Sequence, residues 1–491
     1  MKTQLKILFV SPEVVPFSKT GGLADVSGAL PQALHAAGHD IRIFTPYYRC
    51  VKKQLEASPR HKISLSIRMA GRNVASNLME ADYPGLKTRR NLPVYLLRND
   101  SYFNRPELYG NAQGAYSDNA ERFLYLSRVV PEYLKKLDFR PDIIHANDWH
   151  CAMVPVYLKS LYKDDPFFHE TVSVLTIHNL AYQGSFWVYD MPLTGLGWEQ
   201  FTPDWIEFYG YINFLKGGIM AADAVTTVSP AYAREIQTRE HGCGLEKVIA
   251  WGKKKLTGIL NGIDYSVWSP EKDLLIGKRY SADTIQHKST NKQALQKKAA
   301  LPIEGNRPLL GMVSRLAEQK GLNILVSALE KLLDRHDFQV IIQGKGDRGY
   351  IDKLNILAEK YPGKLSLQVV FDEALAHLIY AGSDFFLMPS RFEPCGLGQL
   401  IALRYGSIPI VRKVGGLADT VLDISRYPGK GNGLLFDDFS GEALAEAVIR
   451  GLKLYARPAE RLAVIKRSMK KDYSWKISAQ EYLKLYRSLL S

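Results

Sequence analysis

The sequence predicts an α/β protein with two doubly wound domains, each built on a parallel sheet covered by helices. Short β-branched runs alternate with amphipathic segments along the chain, and such alternation is typical of parallel sheets with helical crossovers. A strand, a Gly-bearing loop and a helix follow one another at the start and again near residue 310. The length of 491 residues is also too great for a single domain, since a domain usually holds about 100–200 residues.

The strands of both halves are predicted from their β-branched and aromatic runs. In the first half these runs are LKILFV, IRIFT, LPVYLL, DIIHA, VSVLTI, AVTTV and LTGIL. In the second half they are LLGMV, FQVIIQG, DFFLM and IPIV.

A polar stretch between the last strand of one half and the first strand of the other marks the domain boundary. We predict an N-terminal Rossmann-like domain over residues 1–268 and a C-terminal one over residues 269–491. The segment 474–490 has apolar residues at helical spacing. This last helix is expected to pack either on the C-terminal domain or back on the N-terminal domain.

The net charge of +14 favours acidic partners, such as a phosphorylated small molecule, a nucleic acid or a membrane surface. Nucleic-acid binding usually requires basic residues clustered on one face. Lysine and arginine are instead spread along this chain. A solvated basic surface without nucleic acid is therefore the better interpretation.

The cysteine pattern and the apolar runs indicate a cytoplasmic protein that does not bind membranes. The four cysteines show neither metal-ligand spacing nor the density of a disulfide framework, which suggests a reducing compartment. The first apolar run is broken by Ser11, Pro12 and Glu13 and is typical of a strand rather than a signal peptide. No apolar stretch reaches the roughly 20 residues that span a bilayer.

Ligands of open parallel sheets bind beyond the carboxyl ends of the strands. After the first strand, Gly21 and Gly22 allow a close backbone approach, the next helix begins, and Lys19 adds a positive charge. This loop is either an anion site or a plain tight turn. Two cations, Arg315 and Lys320, follow the strand LLGMV. They suit a diphosphate, and the alternative is an ordinary surface pair.

Two carboxylates and a His residue follow three further strands. Glu393 precedes a Pro-Cys-Gly-Leu turn that opens a helix; it either complements the helix dipole or contacts a transferring sugar. Strand VSVLTI ends at His178, and strand DIIHA runs into Asp148. His145, Asp148 and His150 could be metal ligands, but no second cluster supports this, and Asp148 facing a sugar hydroxyl is the favoured interpretation.

Six segments, taken together, resemble the bacterial glycogen synthase and plant starch synthase family. They are KTGGLADVSGALP (19–31), HANDWH (145–150), TIHNLAYQG (176–184), LNGID (260–264), SRLAEQKG (314–321) and PSRFEPCGLGQL (389–400). The similarity runs from the first strand to about residue 440. It is specific because the segments occur in the family's order and spacing, whereas each alone is weak.

The resemblance implies a GT-B fold, in which two Rossmann-like domains face each other across a cleft, with the acceptor side in the N-terminal domain. It also implies a retaining glucosyltransferase that moves glucose from ADP-glucose to the non-reducing end of an α-1,4-glucan such as glycogen, without a metal or other cofactor. By this resemblance Arg315 and Lys320 hold the diphosphate, and Glu393 is the key carboxylate. His178 and Asp148 border the transferred glucose and the acceptor. The predicted catalytic residues are Glu393, His178, Lys320 and Arg315.

The remaining site residues also follow from the resemblance. The first turn, assigned to the donor site, comprises Lys19, Gly21, Gly22 and Asp25. Asn261 is expected in the cleft beside His178 and Asp148. The sugar and phosphate pocket is expected to be lined by Cys395, Gly396, Leu397 and Gln399.

Two positions depart from the family pattern. Phe371 stands where relatives often have a Tyr facing the adenine, so the stacking face is kept and the hydroxyl is lost. Val414 replaces a common Thr before Gly415 and Gly416, which leaves only a backbone contact to the donor phosphate. The donor-side motifs leave two alternatives open, a GT-B transferase with a small acceptor and a catalytically silent glucan-binding protein.

Overall fold

The computed structural model describes residues 3–53, 55, 59–86, 90–111, 113–251 and 256–491. The chain forms two compact units, and each consists of more than one stretch of sequence. The first unit comprises Met1–Val228, Ala233–Ile259 and Ser478–Ser491, and the second comprises Ser229–Tyr232 and Leu260–Ile477. Each unit has its own mainly parallel sheet, which confirms the predicted fold class of two doubly wound α/β units.

The first unit is built on a nine-stranded sheet in the order β14-β13-β9-β8-β1-β2-β5-β4-β3. Its strands are β1 (Lys6–Val10), β2 (Asp40–Pro46), β3 (Arg60–Met69), β4 (Arg72–Asp82), β5 (Pro93–Arg98), β8 (Ile143–Asn147), β9 (Val172–Ile177), β13 (Ala224–Thr227) and β14 (Thr257–Gly258). Two small antiparallel sheets accompany it, made by β6 (Gly110–Asn111) with β7 (Gly114–Ala115), and by β10 (Ser185–Phe186), β11 (Glu207–Phe208) and β12 (Tyr211–Asn213).

Helices cover the strands along the first half of the chain. They are α1 (Gly22–Ala36), α2 (Asp100–Phe103), α3 (Asn119–Lys136), α4 (Asp148–Cys151), α5 (Met153–Lys159), α6 (Met191–Thr194), α7 (Phe214–Ala221), α8 (Pro230–Glu235) and α9 (Glu246–Trp251). Strand β1 has four of its five residues buried, because a central parallel strand is covered on both faces and therefore forms a continuous apolar run.

The second unit has a six-stranded parallel sheet in the order β17-β16-β15-β18-β19-β20. Its strands are β15 (Leu309–Val313), β16 (Gln339–Gln343), β17 (Leu365–Gln368), β18 (Phe385–Met388), β19 (Ile408–Arg412) and β20 (Leu434–Phe436). The helices of this part of the chain are α10 (Lys288–Lys298), α11 (Leu322–Leu332), α12 (Arg348–Lys360), α13 (Glu373–Gly382), α14 (Gly398–Arg404), α15 (Gly415–Thr420), α16 (Gly441–Tyr455), α17 (Pro458–Lys470) and α18 (Trp475–Leu489).

Each sheet reverses its strand order at one point. In the first unit the chain adds β2 on one side of β1 and β8 on the other. In the second unit it adds β16 on one side of β15 and β18 on the other. Open α/β sheets bind ligands at such switch points, beyond the carboxyl ends of the two diverging strands. The fold therefore directs attention to the residues after β1 and β8, and after β15 and β18.

Residues 260–268 pack within the second unit, although the sequence assigned them to the first domain. The Ile263 N–H donates to the Tyr473 carbonyl at 2.8 Å, and the Trp268 ring stacks on His377 with 4.0 Å between ring centroids. The polar stretch that marks a boundary in the sequence begins only after these residues. The domain boundary at residue 268 stays a prediction. The compact units place residues 260–268 in the second unit instead.

The C-terminal residues Ser478–Ser491 belong to the first unit. The Tyr486 hydroxyl hydrogen-bonds to His145 Nδ1 at 2.7 Å, and the Tyr482 ring packs 5.4 Å from the His145 ring. The end of α18 thereby helps to bury the middle of β8. No helix within the described residues is both long and apolar enough to span a membrane.

Candidate active site

The loop after β15 carries Arg315 and Lys320 and is held close to the end of β18. A 3-10 turn, Glu318–Lys320, ends at Gly321 with φ +72°. A Cβ atom on Gly321 would lie 1.9 Å from the carbonyl oxygen of Pro389. Both the left-handed backbone and this close approach require glycine. The close contact between Gly321 and Pro389 holds Lys320 near the residues that follow β18.

Lys320 and Glu393 form an ion pair across the switch point of the second unit. Lys320 Nζ lies 2.6 Å from Glu393 Oε2, and the side chains are only 17% and 9% exposed. Ser390 Oγ donates to the same carboxylate oxygen at 2.9 Å. Because β15 and β18 are parallel neighbours, residues that follow them meet at one edge of the sheet. The glutamate is therefore oriented by two donors from two different loops.

Arg315 is exposed and is connected to the same loop through Gln319. Its Nη2 donates to Gln319 Oε1 at 3.2 Å, and Gln319 Nε2 donates to the carbonyl of Phe392 at 3.4 Å. The structure thus brings together three of the four predicted catalytic residues, Arg315, Lys320 and Glu393. The fourth, His178, lies in the first unit.

The turn after Glu393 is held by Gln399. Gly396 has φ +72°, and Gln399 Nε2 donates to the carbonyls of Cys395 at 3.0 Å and Gly396 at 2.8 Å. Leu397 occupies the position just before α14. The Oε1 atom of Gln399 is buried, and no partner for it exists among the described residues. The predicted pocket residues 395–399 therefore form one turn.

Asn261 lies beside this turn, and Phe371 lies apart from it on the surface. The backbone N–H of Asn261 donates to the Cys395 sulfur and lowers the pKa of that thiol. Burial has the larger, opposite effect and raises the pKa to about 12. The buried Asn261 Oδ1 has no hydrogen-bond partner in the described part of the chain. Phe371 follows β17 and is 79% exposed, so its ring face is open to solvent.

The paired glycines at 415 and 416 pack on the backbone of the Glu393 loop. A Cβ on Gly415, which has φ +44°, would lie 2.0 Å from the Glu393 carbonyl oxygen. The Gly416 N–H donates to that carbonyl at 3.1 Å. These glycines support the loop of the carboxylate, and the Gly416 N–H is already used in doing so.

In the first unit, Asp148 and His178 are joined at the ends of β8 and β9. The His178 backbone N–H donates to Asp148 Oδ1 at 2.7 Å, and Asp148 has φ +55°. Burial raises the Asp148 pKa to about 7, although the backbone N–H groups of His178 and Asn179 act in the opposite direction. The carboxyl therefore gains and loses a proton near neutral pH.

His178 is a neutral imidazole at physiological pH. Burial lowers its pKa to about 3, and its Nε2 lies 2.9 Å from Asn147 Oδ1. Since an amide oxygen accepts, the proton of the neutral ring is on Nε2. A ring in this state supplies fixed hydrogen bonds rather than acid catalysis.

The two other His residues near Asp148 are engaged within the protein. His145 hydrogen-bonds to Tyr486 and, at 2.5 Å, to Thr176 Oγ1. His150 stacks on Trp149 with 3.9 Å between ring centroids. Across the described residues, no group of three or more His, Cys, Asp or Glu side chains has the arrangement of a metal site.

The glycine turn after β1 is closed by a carboxylate that the sequence analysis did not identify. Glu13 accepts hydrogen bonds from the N–H and hydroxyl of Thr20 and, at 3.3 Å, from the Gly21 N–H. Burial raises the Glu13 pKa. Tyr109 also donates to Glu13, at 3.3 Å. The anion that this turn holds in the structure is thus a side chain of the protein.

The other predicted residues of this turn face solvent. Lys19 Nζ lies 2.7 Å from Asp25 Oδ1 in a partly exposed pair, which contributes little to stability. No atom lies within 4 Å of a Cβ built on Gly21 or Gly22. Space for a ligand therefore exists at these two glycines.

Glu13 and Ser390 are the functional candidates that sequence reasoning missed. Each is a polar residue just after a strand of a switch point, β1 or β18. That position was the available signal, but SPEVVP and MPSRF contain no spacing that distinguishes them from ordinary loop residues.

The fold and these strand-end groups define a GT-B glycosyltransferase. Residues 6–251 match the starch synthase catalytic domain, and residues 294–471 match glycosyl transferases group 1. The chain belongs to the glycogen synthase and starch synthase family of glycosyltransferases. The predicted enzyme class, a glucosyltransferase of this family, is thereby confirmed.

Relatives match the chain over nearly its whole length. A glycogen synthase of Geotalea daltonii is 47% identical, with 99% of each chain covered. Glycogen synthase 2 of Geobacter sulfurreducens is 44% identical, with 98% of each chain covered. The catalytic domain of starch synthase IV from Arabidopsis thaliana, solved with ADP and acarbose, has a TM-score of 0.88 at 33% identity and 99% coverage of both chains.

Proposed function

We propose that this enzyme transfers glucose from ADP-glucose to the non-reducing end of an α-1,4-glucan, with retention of configuration. The bond between the anomeric carbon and the ADP oxygen breaks, and a bond to the acceptor hydroxyl oxygen forms on the same face. The acceptor proton leaves with ADP. The names of the full-length relatives and the ADP of the related starch synthase structure support this choice of substrates.

The observation that carries the proposal is the ion pair of Lys320 and Glu393 at the switch point of the second unit. Transfer of a glucosyl group separates charge, because the diphosphate becomes more negative and the sugar becomes more positive. An ammonium and a carboxylate fixed 2.6 Å apart provide one group for each developing charge.

Lys320 and Arg315 are proposed to bind the diphosphate and to stabilise it as it departs. Both belong to the loop after β15, and Arg315 keeps its guanidinium exposed. Charge-assisted hydrogen bonds of this kind are roughly twice as strong as neutral ones. Two cations can thus stabilise the leaving group directly.

Glu393 is proposed to contact the transferring sugar. Lys320 and Ser390 both donate to Oε2 of Glu393, which leaves Oε1 for the ligand. His178, neutral at physiological pH, and Asp148 are proposed to hydrogen-bond the sugar and acceptor hydroxyls.

The remaining predicted residues are proposed as binding groups. Phe371 offers an exposed ring for the adenine, and Asn261 has a buried amide oxygen that lacks a partner in the described part. The pocket turn consists of Cys395, Gly396, Leu397 and Gln399. The turn of the first unit adds Lys19, Gly21, Gly22 and Asp25. A cytoplasmic location is proposed as well, because all four cysteines are free thiols.

The test is nucleoside diphosphate release by the purified protein, given ADP-glucose or UDP-glucose, each with and without glycogen. We expect release from ADP-glucose only when glycogen is present. Release that needs a small sugar instead of glycogen would support the alternative with a small acceptor. No release with either donor, despite glycogen binding, would indicate a silent glucan-binding protein and contradict the proposal.

A further inference from the structure

Exposed aromatic side chains concentrate in one short segment of the first unit. Among the described residues, six of the nine exposed Trp, Tyr and Phe side chains fall between residues 182 and 211. They are Tyr182, Trp187, Tyr189, Trp198, Tyr209 and Tyr211. Exposed aromatic rings forgo a large gain from burial, and clusters of them mark binding surfaces.

Four of these residues lie in or directly beside the small sheet β10-β12-β11, and we call them the aromatic shelf: Trp187 after β10, Tyr189 in the turn that follows, Tyr209 between β11 and β12, and Tyr211 in β12. Phe186 of β10 pairs with Ile212 of β12, so the next residue, Trp187, leaves the strand beside Tyr211. The Trp187 and Tyr189 ring centroids are 4.6 Å apart, and β12 contacts the turn that carries Tyr189.

Tyr209 is exposed to solvent and has a strained backbone conformation. Tyr209 and Gly210, with φ of +50° and +81°, form the two-residue turn between β11 and β12. Such turns favour Asn-Gly or Asp-Gly, and a bulky residue with positive φ is uncommon. The Tyr209 side chain is 82% exposed, so burial does not offset this cost. A ligand that contacts the ring would account for the residue.

The sheet that carries the shelf is fixed to the loop of Asp148. On its inner side, Phe186 packs on Trp149 with 5.7 Å between ring centroids, and on Phe214 with 4.7 Å. A Cβ on Gly184 would lie 2.4 Å from the Trp149 ring. Since Trp149 directly follows Asp148, the sheet that carries the shelf packs against a neighbour of the candidate site of this unit.

The charge of the surrounding segment disfavours an anionic partner. No Lys or Arg occurs between Lys163 and Lys216, in a chain with 64 such residues, whereas the segment 182–211 contains Asp190, Glu199, Asp204 and Glu207. Among the described residues, Lys216 and Arg128 lie against the segment, and both are engaged. Lys216 Nζ donates to backbone carbonyls of Pro203 and Trp205, and Arg128 lies over the Tyr157 ring.

We propose that the aromatic shelf binds an α-glucan chain, by stacking of sugar rings on Trp187 and Tyr189 and on the two tyrosines of the hairpin. The inference rests on the proposed function, since it identifies the ligand as the acceptor polymer. A glucan is neutral, has apolar ring faces, and has hydroxyl groups that donate to carboxylates. A second copy of the chain fits less well, because a twofold interface would place this acidic segment against itself.

The test compares Trp187→Ala/Tyr189→Ala and Tyr209→Ala with Trp251→Ala, a control that removes a similarly exposed ring of the same unit. Glycogen binding is measured by co-sedimentation without donor, and initial rates are measured with glycogen and with maltotriose. We expect about tenfold weaker glycogen binding for Tyr209→Ala and about a hundredfold weaker binding for the double variant, since each stacked ring contributes on the order of one factor of ten. Rates with maltotriose and the unfolding temperature should stay those of the parent.

The outcomes separate this proposal from the proposed function. If both shelf variants bind glycogen like the parent protein, or if the parent protein does not bind glycogen, the shelf proposal is wrong. If the shelf variants lose glycogen binding while the parent protein releases no ADP, the shelf proposal stands and the proposed function fails. A change in oligomeric state by analytical ultracentrifugation, with glycogen binding retained, would assign the surface to self-association and overturn the proposal.

Discussion

Lys320 Nζ and Glu393 Oε2 are 2.6 Å apart, although 73 residues separate them in the sequence. The pair is largely shielded from solvent, and its two residues come from loops after neighbouring parallel strands. Removing either partner leaves the other charge poorly compensated, which usually costs far more than an exposed pair contributes. Both partners can therefore be tested separately, each against an exposed pair elsewhere in the same unit.

Lys320→Ala should lower the turnover number about a hundredfold or more, because a positive charge on the departing diphosphate is lost. Steady-state ADP release with glycogen measures this. Lys331→Ala removes an exposed ammonium that pairs with Glu442 and should leave the rate within about twofold. Turnover of Lys320→Ala near that of the parent protein would exclude the proposed role.

Glu393→Gln should also lower turnover by about a hundredfold, since the amide keeps the size of the side chain but cannot stabilise positive charge on the sugar. The matched control is Glu460→Gln, whose carboxylate is exposed and pairs with Arg457 at 2.7 Å in α17, away from the Glu393 loop. Full activity of Glu393→Gln would remove this carboxylate from the mechanism.

Glu13→Gln should weaken the glycine turn, because one amide NH2 replaces an oxygen that accepts from Thr20 and Gly21. We expect the half-saturating ADP-glucose concentration to rise about tenfold, the value for roughly 1.4 kcal/mol. Glu107→Gln changes an exposed glutamate of the same unit and serves as the control. Unchanged donor kinetics in Glu13→Gln would show that the turn does not depend on this carboxylate.

Gly321→Ala should both destabilise the second unit and inactivate the enzyme. The new Cβ meets the Pro389 carbonyl, and the residue keeps φ +72°, at a cost of about 1–3 kcal/mol. Gly305→Ala is the control, because no atom lies within 4 Å of its Cβ position. Thermal unfolding and ADP release measure both effects. A Gly321→Ala protein with parental stability and activity would contradict the close approach.

The protein should lose stability as pH falls below about 6.5. Burial lowers the pKa of His145 and His178 from 6.5 to about 3, so the unfolded chain binds more protons than the folded chain within that window. Each His then costs up to about 1.4 kcal/mol per pH unit. Asp148, with its pKa raised from 3.8 to about 7, acts in the opposite direction.

Asp148→Asn separates these opposing contributions. The substitution removes the carboxyl whose protonation stabilises the folded protein as pH falls. The unfolding temperature of Asp148→Asn should therefore fall more steeply with decreasing pH than that of the parent protein. His61→Gln changes an exposed His and should leave the slope unchanged. Equal slopes in the parent and in Asp148→Asn would show that Asp148 does not titrate in this range.

The central strands were predictable from sequence because burial on both faces makes them continuous apolar runs. β1, β8, β15 and β18 all coincide with predicted strands, and β15 and β18 lead to Lys320 and Glu393. β3 and β4 were not predicted, because they form an antiparallel pair with many exposed residues. Their polar positions interrupt the apolar pattern that identified the other strands.

The partners of the site residues depend on contacts between distant parts of the chain. Lys320 was identified as a diphosphate-binding cation, but its pairing with Glu393 requires the order of β15 and β18 in the sheet. Glu13 was passed over for the same reason, since its role depends on the turn folding back over it. Sequence periodicity carries no information on such pairings.

The bond between His145 and Tyr486 has a practical consequence for dissecting the enzyme. The first unit combines stretches from both sides of the second one, because its final stretch, Ser478–Ser491, is translated only after the whole of Leu260–Ile477. A gene fragment that stops at residue 259 encodes a sheet whose buried His145 lacks the hydroxyl of Tyr486. A self-sufficient version of that unit would need the last helix joined back by an artificial linker.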